Sequence, residues 1–387
     1  MPSSQFQRKI AALLVSLLIF SEGSLGFQLQ RTQTTSAART KPFSLLYSVP
    51  NNKGADYLFT SNGENGYKIS TTEERHLRFA GVGRLYTTTT EQTKQQEGSL
   101  KQQQQSNLPP HLQIVERLTE STVMVIGLGG VGSWAAEALC RSGVGNLILV
   151  DLDDICISNI NRQLHATSST VGQMKLDEMK RRLEDINPQC NVTLVHDFIS
   201  PENIDEIIDD SSKSGLTALL DAMDGTKEKT ALLAACVNRR IPVVTCGGAA
   251  GRVDPSSIVV EDLTRVSNDK LLGTCRKNLR KFYDFEKGLS FQDIQNKKKK
   301  PRKWNIFAVT STETPRKVCQ SDTSSFRRCD GPLGTACFVT GTYGFVAAAR
   351  IVDMIANNQL VRPRLQGEQH AGASKAAKHI NETAIIA

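Results

Sequence analysis

Short runs of β-branched and other apolar residues alternate with longer segments from Ser121 onward. The runs predict five buried strands, at Thr122–Ile126, Leu147–Val150, Val192–Val195, Ala218–Leu220 and Val243–Thr245. Each intervening segment is long enough for a crossover helix. Strands that alternate with helices in this way build a mostly parallel sheet with helices on its faces. The pattern therefore predicts an α/β, Rossmann-like domain.

The polar and apolar pattern also delimits the remaining parts of the chain. Residues 340–356 are apolar enough for a buried helix, with only Arg350 and Asp353 charged. Core or dimer packing is expected for this helix. Residues 89–111 are rich in Thr and Gln and end near a Pro-Pro pair, so a disordered insertion is expected there. Residues 362–387 are polar and are expected to form a disordered tail.

Composition and charge narrow the classes of function. With 387 residues and 39% hydrophobic content, the chain suits a soluble globular protein with a sizeable core. The net charge is +8, and residues 276–303 hold eleven Lys and Arg against three acids, which equals that excess. Nine cysteines occur without a C-x-x-C pair. This usage favours reduced thiols over a disulfide framework or a zinc knuckle.

A glycine-rich turn follows the first predicted strand directly. It contains Gly127, Gly129, Gly130 and Gly132, and helical residues 134–141 come next. Glycines let backbone N–H groups approach phosphates, and a helix N-terminus favours their negative charge. Asp151 ends the second strand, where a carboxylate accepts hydrogen bonds from ribose hydroxyls. These features fit NAD, FAD and ATP equally.

Further polar residues favour ATP over a dinucleotide. Arg162 suits bidentate binding of phosphate oxygens, Lys175 neutralises a second group, and Asp224 suits Mg²⁺. Asp224 follows a predicted strand, at the edge where open α/β sheets bind ligands. An NAD-binding regulator would leave these three charges without a joint purpose. We therefore expect ATP and Mg²⁺ as cofactors.

Several motifs resemble the ThiF/MoeB/ubiquitin-activating superfamily, and within it the tRNA threonylcarbamoyladenosine dehydratases. The resemblance spans roughly residues 72–356, within an adenylating domain that is expected over residues 72–361. It rests on these segments: 78–81 (RFAG), 84–86 (RLY), 132–139 (GSWAAEAL), 161–166 (NRQLHA), 245–249 (TCGGA), 253–255 (VDP), 311–313 (STE) and 340–345 (TGTYGF). Gly225 stands where many relatives have Asn, and the zinc-binding cysteine pairs of ThiF and MoeB are missing. Both departures favour the dehydratase branch.

The resemblance implies an ATP-dependent enzyme that activates a carboxylate as an acyl-adenylate and so dehydrates, by cyclisation, threonylcarbamoyladenosine in tRNA. It implies catalytic roles for Asp224, Arg162 and Lys175, with Asp224 as metal ligand. The implied nucleotide-binding residues are Gly127, Gly129, Gly130, Gly132, Asp151, Asn159, Arg162, Gln163 and Lys175. A homodimer is expected. The alternative is an activator of a ubiquitin-like or sulfur-carrier protein, whose partner would be that protein or a sulfur donor.

Other residues have two interpretations. Cys246 lies beside the glycine pair 247–248, but a small residue under a turn explains it as well as a catalytic thiol does. His165 either touches substrate or caps its local turn, and Trp134 is expected to pack. The family resemblance places residues 276–303 in a basic loop across the substrate opening. Clustered cations beside Trp304 suit RNA phosphates, and a solvated loop is the alternative. The predicted tRNA-binding residues are Lys297, Lys298, Lys299, Lys300, Arg302 and Lys303.

The N-terminus has the composition of a targeting sequence. Residues 1–26 place Arg8 and Lys9 before an apolar run too short to span a bilayer, as in a signal peptide. Residues 27–56 continue in the style of an organelle transit peptide. The combination resembles the bipartite presequences of algae with complex plastids, so plastid localisation through the secretory route is expected. A secreted, mitochondrial or membrane-tethered protein is the alternative.

Overall fold

The computed structural model describes residues 70–87, 108–212, 215–286, 303–316 and 333–363. The predicted presequence, most of the Gln-rich insertion, residues 287–302 and nearly all of the predicted tail lie outside these ranges. Two helices come first, α1 (Thr71–Leu85) and α2 (Pro110–Glu120). Because α2 begins at Pro110, the prediction that the disordered insertion extends to His111 is wrong at its last two residues. Pro suits the first turn of a helix, where its missing N–H costs nothing.

The described residues contain seven strands, β1 Thr122–Ile126, β2 Asn146–Asp151, β3 Asn191–His196, β4 Leu216–Asp221, β5 Val243–Cys246, β6 Ile258–Asp262 and β7 Phe307–Ser311. They form one sheet in the order β3-β2-β1-β4-β5-β7-β6. The first five strands in the chain are parallel, as predicted, and β7 continues this direction beside β5. The predicted α/β fold with a mostly parallel sheet is confirmed.

The last two strands were not predicted. β6 pairs antiparallel with β7 at one edge of the sheet. Residues of β6 are only half-buried, and an edge strand of this kind lacks the continuous apolar run that marks a central parallel strand. The apolar pattern of the chain therefore carried little signal for β6. β7 is buried between β5 and β6, but its apolar run is only three residues long before Thr310 and Ser311.

Helices cover both faces of the sheet. The bounds are α3 Gly132–Arg141, α4 Lys175–Ile186, α5 Ile204–Ser212, α6 Thr226–Asn238, α7 Lys270–Phe282 and α8 Cys337–Ala356. In β1, Val123 and Val125 belong to the core shared with α2, α3, α4 and α8, whereas Met124 and Ile126 belong to the core shared with α5, α6 and α7. This period of two, in a strand buried on both faces, explains its unbroken apolar run.

Helix α8 confirms the predicted buried helix. Tyr343, Ala347 and Ile351 on its inner face are fully buried against the sheet and α3. Gly344 permits a close approach, because a β carbon there would lie 3.0 Å from Cβ of Trp134 on α3. By length and apolar content α8 would also be able to cross a membrane, but 61% of its apolar stretch is buried inside the protein. Core packing accounts for its composition.

The basic segment 276–303 begins as a helix. Arg276 lies inside α7, which continues to Phe282. The expectation of a loop over the whole segment is therefore wrong for residues 276–282. The helix is amphipathic: Leu272, Cys275 and Leu279 are buried, whereas Lys270, Lys277 and Lys281 are exposed. Arg276 is partly buried and donates to the backbone carbonyls of Leu263 and Val266.

Candidate nucleotide site

The glycine turn lies at the topological switch point of the sheet, where the strand order reverses between β1 and β4. β1 pairs with β2 on one side and with β4 on the other, so its carboxyl end borders the crevice where open α/β sheets bind ligands. Ile126 stands in register with Val150 of β2 and with Asp221 of β4. The residues that follow these three therefore face one another across the crevice.

The turn is tightly packed at two glycines and open at a third. Gly127 adopts φ +85° and donates its N–H to Val150 O at 2.9 Å. A β carbon on Gly132 would overlap the carbonyl oxygen of Gly127. No heavy atom lies within 4 Å of the position that a β carbon on Gly129 would take. Two glycines are thus required by the fold, whereas Gly129 leaves room for a ligand.

Asp151 fixes the turn. Its carboxylate accepts hydrogen bonds from Leu128 N at 2.6 Å and from Asp153 N at 2.9 Å. A carboxylate has about four lone-pair positions, so acceptor sites remain for ribose hydroxyls. The sequence predicted only the ribose contact. The structure adds that this buried carboxylate holds the backbone of the glycine turn.

Lys175 lies beside Asp151 at the start of α4. Its ammonium nitrogen is 2.6 Å from Asp153 Oδ2 and 3.9 Å from Asp151 Oδ1, and the side chain is buried. The structure thus brings together Lys175, Asp151 and the glycine turn, as expected. Asp153 was missed by the sequence analysis, although its position two residues after the strand end is a signal of the same kind as Asp151.

Arg162 is held next to Gly130. A β carbon on Gly130 would lie 3.3 Å from Cγ of Arg162. The backbone carbonyl of Arg162 accepts hydrogen bonds from Trp134 Nε1 at 2.9 Å and from Thr340 Oγ1 at 3.4 Å. Its guanidinium donates to Ser158 O at 2.7 Å. Trp134 is therefore a packing residue, as predicted, and it also anchors the backbone of Arg162.

Three further polar side chains near this segment are buried. Asn159 accepts a hydrogen bond from Cys156 N at 3.1 Å and so shapes the loop. Among the described residues, Gln163 Oε1 and both ring nitrogens of His165 have no hydrogen-bond partner. Burial, with a smaller effect of the Lys175 charge, lowers the pKa of His165 to about 4. The ring is therefore neutral near pH 7.

The ring of His165 does not cap its local turn, so that interpretation is wrong. Thr170 does so instead, because its hydroxyl donates to the backbone carbonyl of His165 at 2.7 Å. The imidazole faces inward with nearly all of its surface covered.

Asp224 occupies the loop that forms the other wall of the crevice. Ala222 in this loop packs on the turn, since its carbonyl carbon would be 3.2 Å from a β carbon on Gly127. Asp224 itself is exposed, just beyond the carboxyl end of β4, as predicted. No three His, Cys, Asp or Glu side chains in the described ranges are grouped to hold a metal on their own. One carboxylate completed by substrate phosphates is the usual arrangement for Mg²⁺, so the residues present fit that ion.

Two buried polar clusters were missed by the sequence analysis. Asp221, Lys229 and Thr245 form one of them, directly beneath the Asp224 loop. Lys229 lies in the polar first turns of α6, before the apolar stretch 231–237, so the sequence carried little signal that this lysine is buried and therefore requires a partner. The other cluster joins Arg252 to Tyr343, with Arg252 Nη1 at 2.9 Å from the tyrosine hydroxyl, and to Asp269.

Cys246 is buried between these clusters. Burial raises the pKa of its thiol to about 12. A group that is neither ionised nor accessible is a poor nucleophile, so packing beneath the glycine pair explains this residue.

Lys303, the one described residue of the predicted tRNA-binding run, does not lie at the nucleotide crevice. Residues 297–302 lie outside the described ranges. Lys303 precedes β7 and so lies at the amino edge of the parallel strands, opposite the glycine turn. Trp304 is buried, with its ring 4.8 Å from that of Phe285. The expectation that Trp304 contributes an aromatic surface for RNA is therefore wrong.

The fold and the crevice define a class: a Rossmann-like α/β protein with a glycine turn, a buried carboxylate and two cations at the switch point of its sheet. The pattern of the ThiF family matches residues 102–377. The chain is 40% identical over 281 residues to the tRNA threonylcarbamoyladenosine dehydratase of Haemophilus influenzae, covering 72% of this chain and 93% of that protein.

Solved structures agree with this match. The E. coli tRNA N6-threonylcarbamoyladenosine dehydratase TcdA in complex with ATP superposes with a TM-score of 0.58 at 31% identity, over 75% of this chain and 98% of that one. Its complex with AMP gives the same score and identity, over 75% and 99%. The chain belongs to the ThiF family, in its tRNA threonylcarbamoyladenosine dehydratase branch.

Proposed function

We propose that this chain is an ATP-dependent enzyme that dehydrates threonylcarbamoyladenosine in tRNA through an acyl-adenylate. The observation that carries the proposal is the glycine turn at the switch point, with Asp224 on the facing loop and Arg162 and Lys175 at its sides. Relatives named for this activity match most of the chain, and the E. coli relative binds ATP and AMP in the same fold.

The chemistry proceeds in two steps. An oxygen of the threonylcarbamoyl carboxylate attacks the α-phosphorus of ATP, which forms an acyl-AMP and releases pyrophosphate. A carbamoyl atom then attacks the activated carbonyl, the ring closes, and AMP leaves with the original carboxylate oxygen. Ring closure needs no external nucleophile, and well-positioned intramolecular attack lowers a barrier by ~7 kcal/mol or more. The enzyme therefore has to position, neutralise charge and exclude water.

The residues of the crevice have separate tasks in this scheme. Open space at Gly129 admits the phosphates to backbone N–H groups, and Asp151 holds the turn while offering acceptors to the ribose. Arg162 binds phosphate oxygens. Lys175, whose ammonium group pairs with Asp153, would give up part of this pairing and contact a phosphate when ATP binds. Asp224 would hold Mg²⁺, which supplies charge neutralisation at the phosphates when bound.

An activator of a ubiquitin-like or sulfur-carrier protein is the rival function. Such an enzyme usually passes its acyl group to a transfer cysteine. Cys246, the thiol nearest the crevice in sequence, is buried and has a raised pKa. The exposed Cys337 begins α8 and is the other thiol to test. The curated relatives favour the tRNA reaction over this rival.

The proposed homodimer is supported by one face of α8. Phe338 and Phe345 are each about half exposed, two helical turns apart, and Phe345 packs edge-on against the partly exposed Trp134. An exposed apolar face of this kind marks a protein interface, and the simplest occupant is a second copy. Light scattering on the purified protein, with Phe345→Glu as the disrupting variant, tests it. A monomeric wild type would overturn the proposal.

Plastid localisation through the secretory route is proposed from residues 1–56, which lie outside the described ranges. A reporter fused to these residues should enter plastids, and replacement of Phe27 should divert it. Retention of residues 1–26 as an anchor would instead indicate a membrane-tethered enzyme, and mitochondrial import would indicate the remaining alternative.

One assay tests the enzymatic proposal. Purified protein, ATP, Mg²⁺ and tRNA carrying threonylcarbamoyladenosine are incubated, and the nucleosides are analysed by mass spectrometry. Loss of one water from the modified nucleoside, dependent on ATP, is expected. With ¹⁸O in the substrate carboxylate, the label should appear in AMP. Absence of turnover, together with adenylation of a carrier-protein C-terminus, would establish the rival function.

A further inference from the structure

The Asp224 loop rests on a fully buried ionic cluster. Lys229 Nζ lies 2.7 Å from Asp221 Oδ2, and neither side chain has any exposed surface. Thr245 Oγ1 completes the cluster, 2.7 Å from Asp221 Oδ2 and 3.1 Å from Lys229 Nζ. Each partner comes from a different element: β4, α6 and β5.

Stability does not explain this cluster. Removing two charges from water is costly, and buried ion pairs are often replaced by apolar residues of similar size with no loss of stability. A fully buried lysine is also rare. A reason is therefore to be sought in what the cluster holds in place.

The cluster closes a loop at its base. Asp221 is the last residue of β4, and Lys229 lies in the first two turns of α6, so their contact spans the ends of the loop 222–225. The second oxygen of Asp221 accepts a hydrogen bond from Met223 N at 3.1 Å. The α6 N-terminus has no side-chain cap of its own, because Gly225 occupies the N-cap position. The ion pair thus holds the start of α6 against the end of β4, which no capping side chain does.

The loop 222–225, held at its base by this cluster, forms one wall of the nucleotide crevice. Its Ala222 packs against Gly127, and a β carbon on Gly132 would lie 3.3 Å from Ala222 Cβ. Asp224 stands two residues further along. A shift of this loop therefore changes both the width of the crevice and the position of the Asp224 carboxylate.

We propose that Asp221, Lys229 and Thr245 are positioning residues, which clasp the loop so that Asp224 meets the nucleotide phosphates. The inference rests on the proposed function for the role of Asp224, whereas the clasp itself is a property of the fold. The three residues touch neither substrate nor nucleotide in this proposal. They act through the backbone of residues 222–225.

The test removes both charges together. Asp221→Asn/Lys229→Met keeps side-chain volume nearly constant and leaves no buried charge unpaired. It should fold cooperatively with a melting temperature near wild type. Its kcat for ATP-dependent turnover should fall on the order of 10–100-fold, because small misplacement of a reacting group is that costly. The KM for ATP should change little, since Arg162, Lys175 and the glycine turn remain.

Amide hydrogen exchange gives a readout independent of activity. Exchange in residues 222–225 should be faster in the double variant than in wild type, and unchanged in β1 and α3. Thr245→Val leaves both charges in place and serves if the double variant does not fold. It should show a smaller increase in exchange at the same residues and a smaller loss of kcat.

A matched control removes an ion pair elsewhere. Glu137 and Arg182 join α3 to α4 away from the loop, and Glu137→Gln/Arg182→Met should leave kcat and exchange at 222–225 as in wild type. If residues 222–225 exchange faster in the double variant but the wild-type protein does not dehydrate the modified tRNA, the role of the cluster in holding the loop is supported and the proposed function is refuted. If exchange at residues 222–225 is as slow as in wild type in both Asp221→Asn/Lys229→Met and Thr245→Val, the cluster does not hold the loop. If the folded double variant keeps the wild-type kcat, the cluster does not position Asp224.

Discussion

The carbonyl oxygen of Gly127 lies against the α carbon of Gly132, in the space that a β carbon on Gly132 would need. Gly129, between them in sequence, has open space in the corresponding direction. These three of the four glycines in the turn therefore serve different purposes. Two close the backbone on itself, and the third keeps one side of the crevice free.

Alanine at these positions should separate folding from binding. Gly132→Ala forces an overlap with backbone and should destabilise the protein by about 3 kcal/mol or more. Gly129→Ala adds a methyl group into open space without a positive φ, so its unfolding free energy should stay within about 1 kcal/mol of wild type. ATP affinity should nevertheless fall at least about tenfold, because the methyl group occupies the path of the phosphates. Thermal unfolding and calorimetric titration with ATP measure both effects. Wild-type ATP affinity in Gly129→Ala would place the phosphates elsewhere.

Asp224 should be needed for chemistry and not for folding. Asp224→Ala removes an exposed carboxylate, so its stability should stay within about 0.5 kcal/mol of wild type. ATP-dependent pyrophosphate release should fall at least about 100-fold, because the proposed Mg²⁺ at the phosphates would lose its protein ligand. Glu120→Ala, at an exposed carboxylate at the end of α2, is the control and should retain full activity. Near-normal turnover in Asp224→Ala would contradict the assignment of the site.

The sequence predicted the parts of the fold that depend on local pattern. β1 is buried on both faces, and its apolar run gave both of its bounds correctly. The edge strand β6, most of which is only partly buried, gave no such signal. In the site, the positions of Asp151 and Asp224 were predictable because one ends β2 and the other follows β4, and the carboxyl ends of these parallel strands lie at the same edge of the sheet. The partners of Lys175 and Lys229 were not, although Asp153 and Asp221 lie only 22 and 8 residues away in sequence. Which side of a helix faces the end of the preceding strand depends on how the helix packs on the sheet, and the local pattern does not give that packing.

Cys246 should be dispensable for the reaction. Its pKa is raised to about 12 by burial, so at pH 8 only about one thiol in ten thousand is ionised. Iodoacetamide should therefore label the exposed Cys337 long before Cys246. Cys246→Ala should retain kcat within about twofold and lose about 1–2 kcal/mol of stability from the small cavity. Mass spectrometry of labelled peptides and the dehydration assay check both statements. An inactive but folded Cys246→Ala would instead indicate that Cys246 is a catalytic thiol.

His165 should make stability depend on pH in a defined window. Its pKa falls from 6.5 to about 4 on folding, so the unfolded chain binds a proton that the native state excludes between these values. The contribution of the neutral ring is complete above pH 6.5 and is lost as the pH falls towards 4, on the order of 3 kcal/mol in total. Denaturant unfolding of wild type and His165→Gln at pH 7.5, 6 and 5 measures it. Wild type should lose stability relative to the variant as the pH falls. A pH-independent difference, or an NMR titration of the ring near pH 6.5, would contradict this.

The basic run at Lys297–Lys300 should capture tRNA electrostatically and take no part in chemistry. Lys303, at its described end, lies at the edge of the sheet opposite the glycine turn. We therefore expect the run to contact the body of the tRNA and not the reacting adenosine. Replacing the four lysines by glutamine should raise the KM for tRNA. It should also flatten the dependence of log affinity on log salt by roughly 0.7–0.9 for each phosphate that the protein no longer neutralises. ATP affinity, and the rate at saturating tRNA, should match wild type because the crevice is untouched. Lys180→Gln on α4 is the charge control. If KM and salt slope stay at wild-type values in the fourfold variant, the run is a solvated loop, and tRNA must bind through cations elsewhere on the protein.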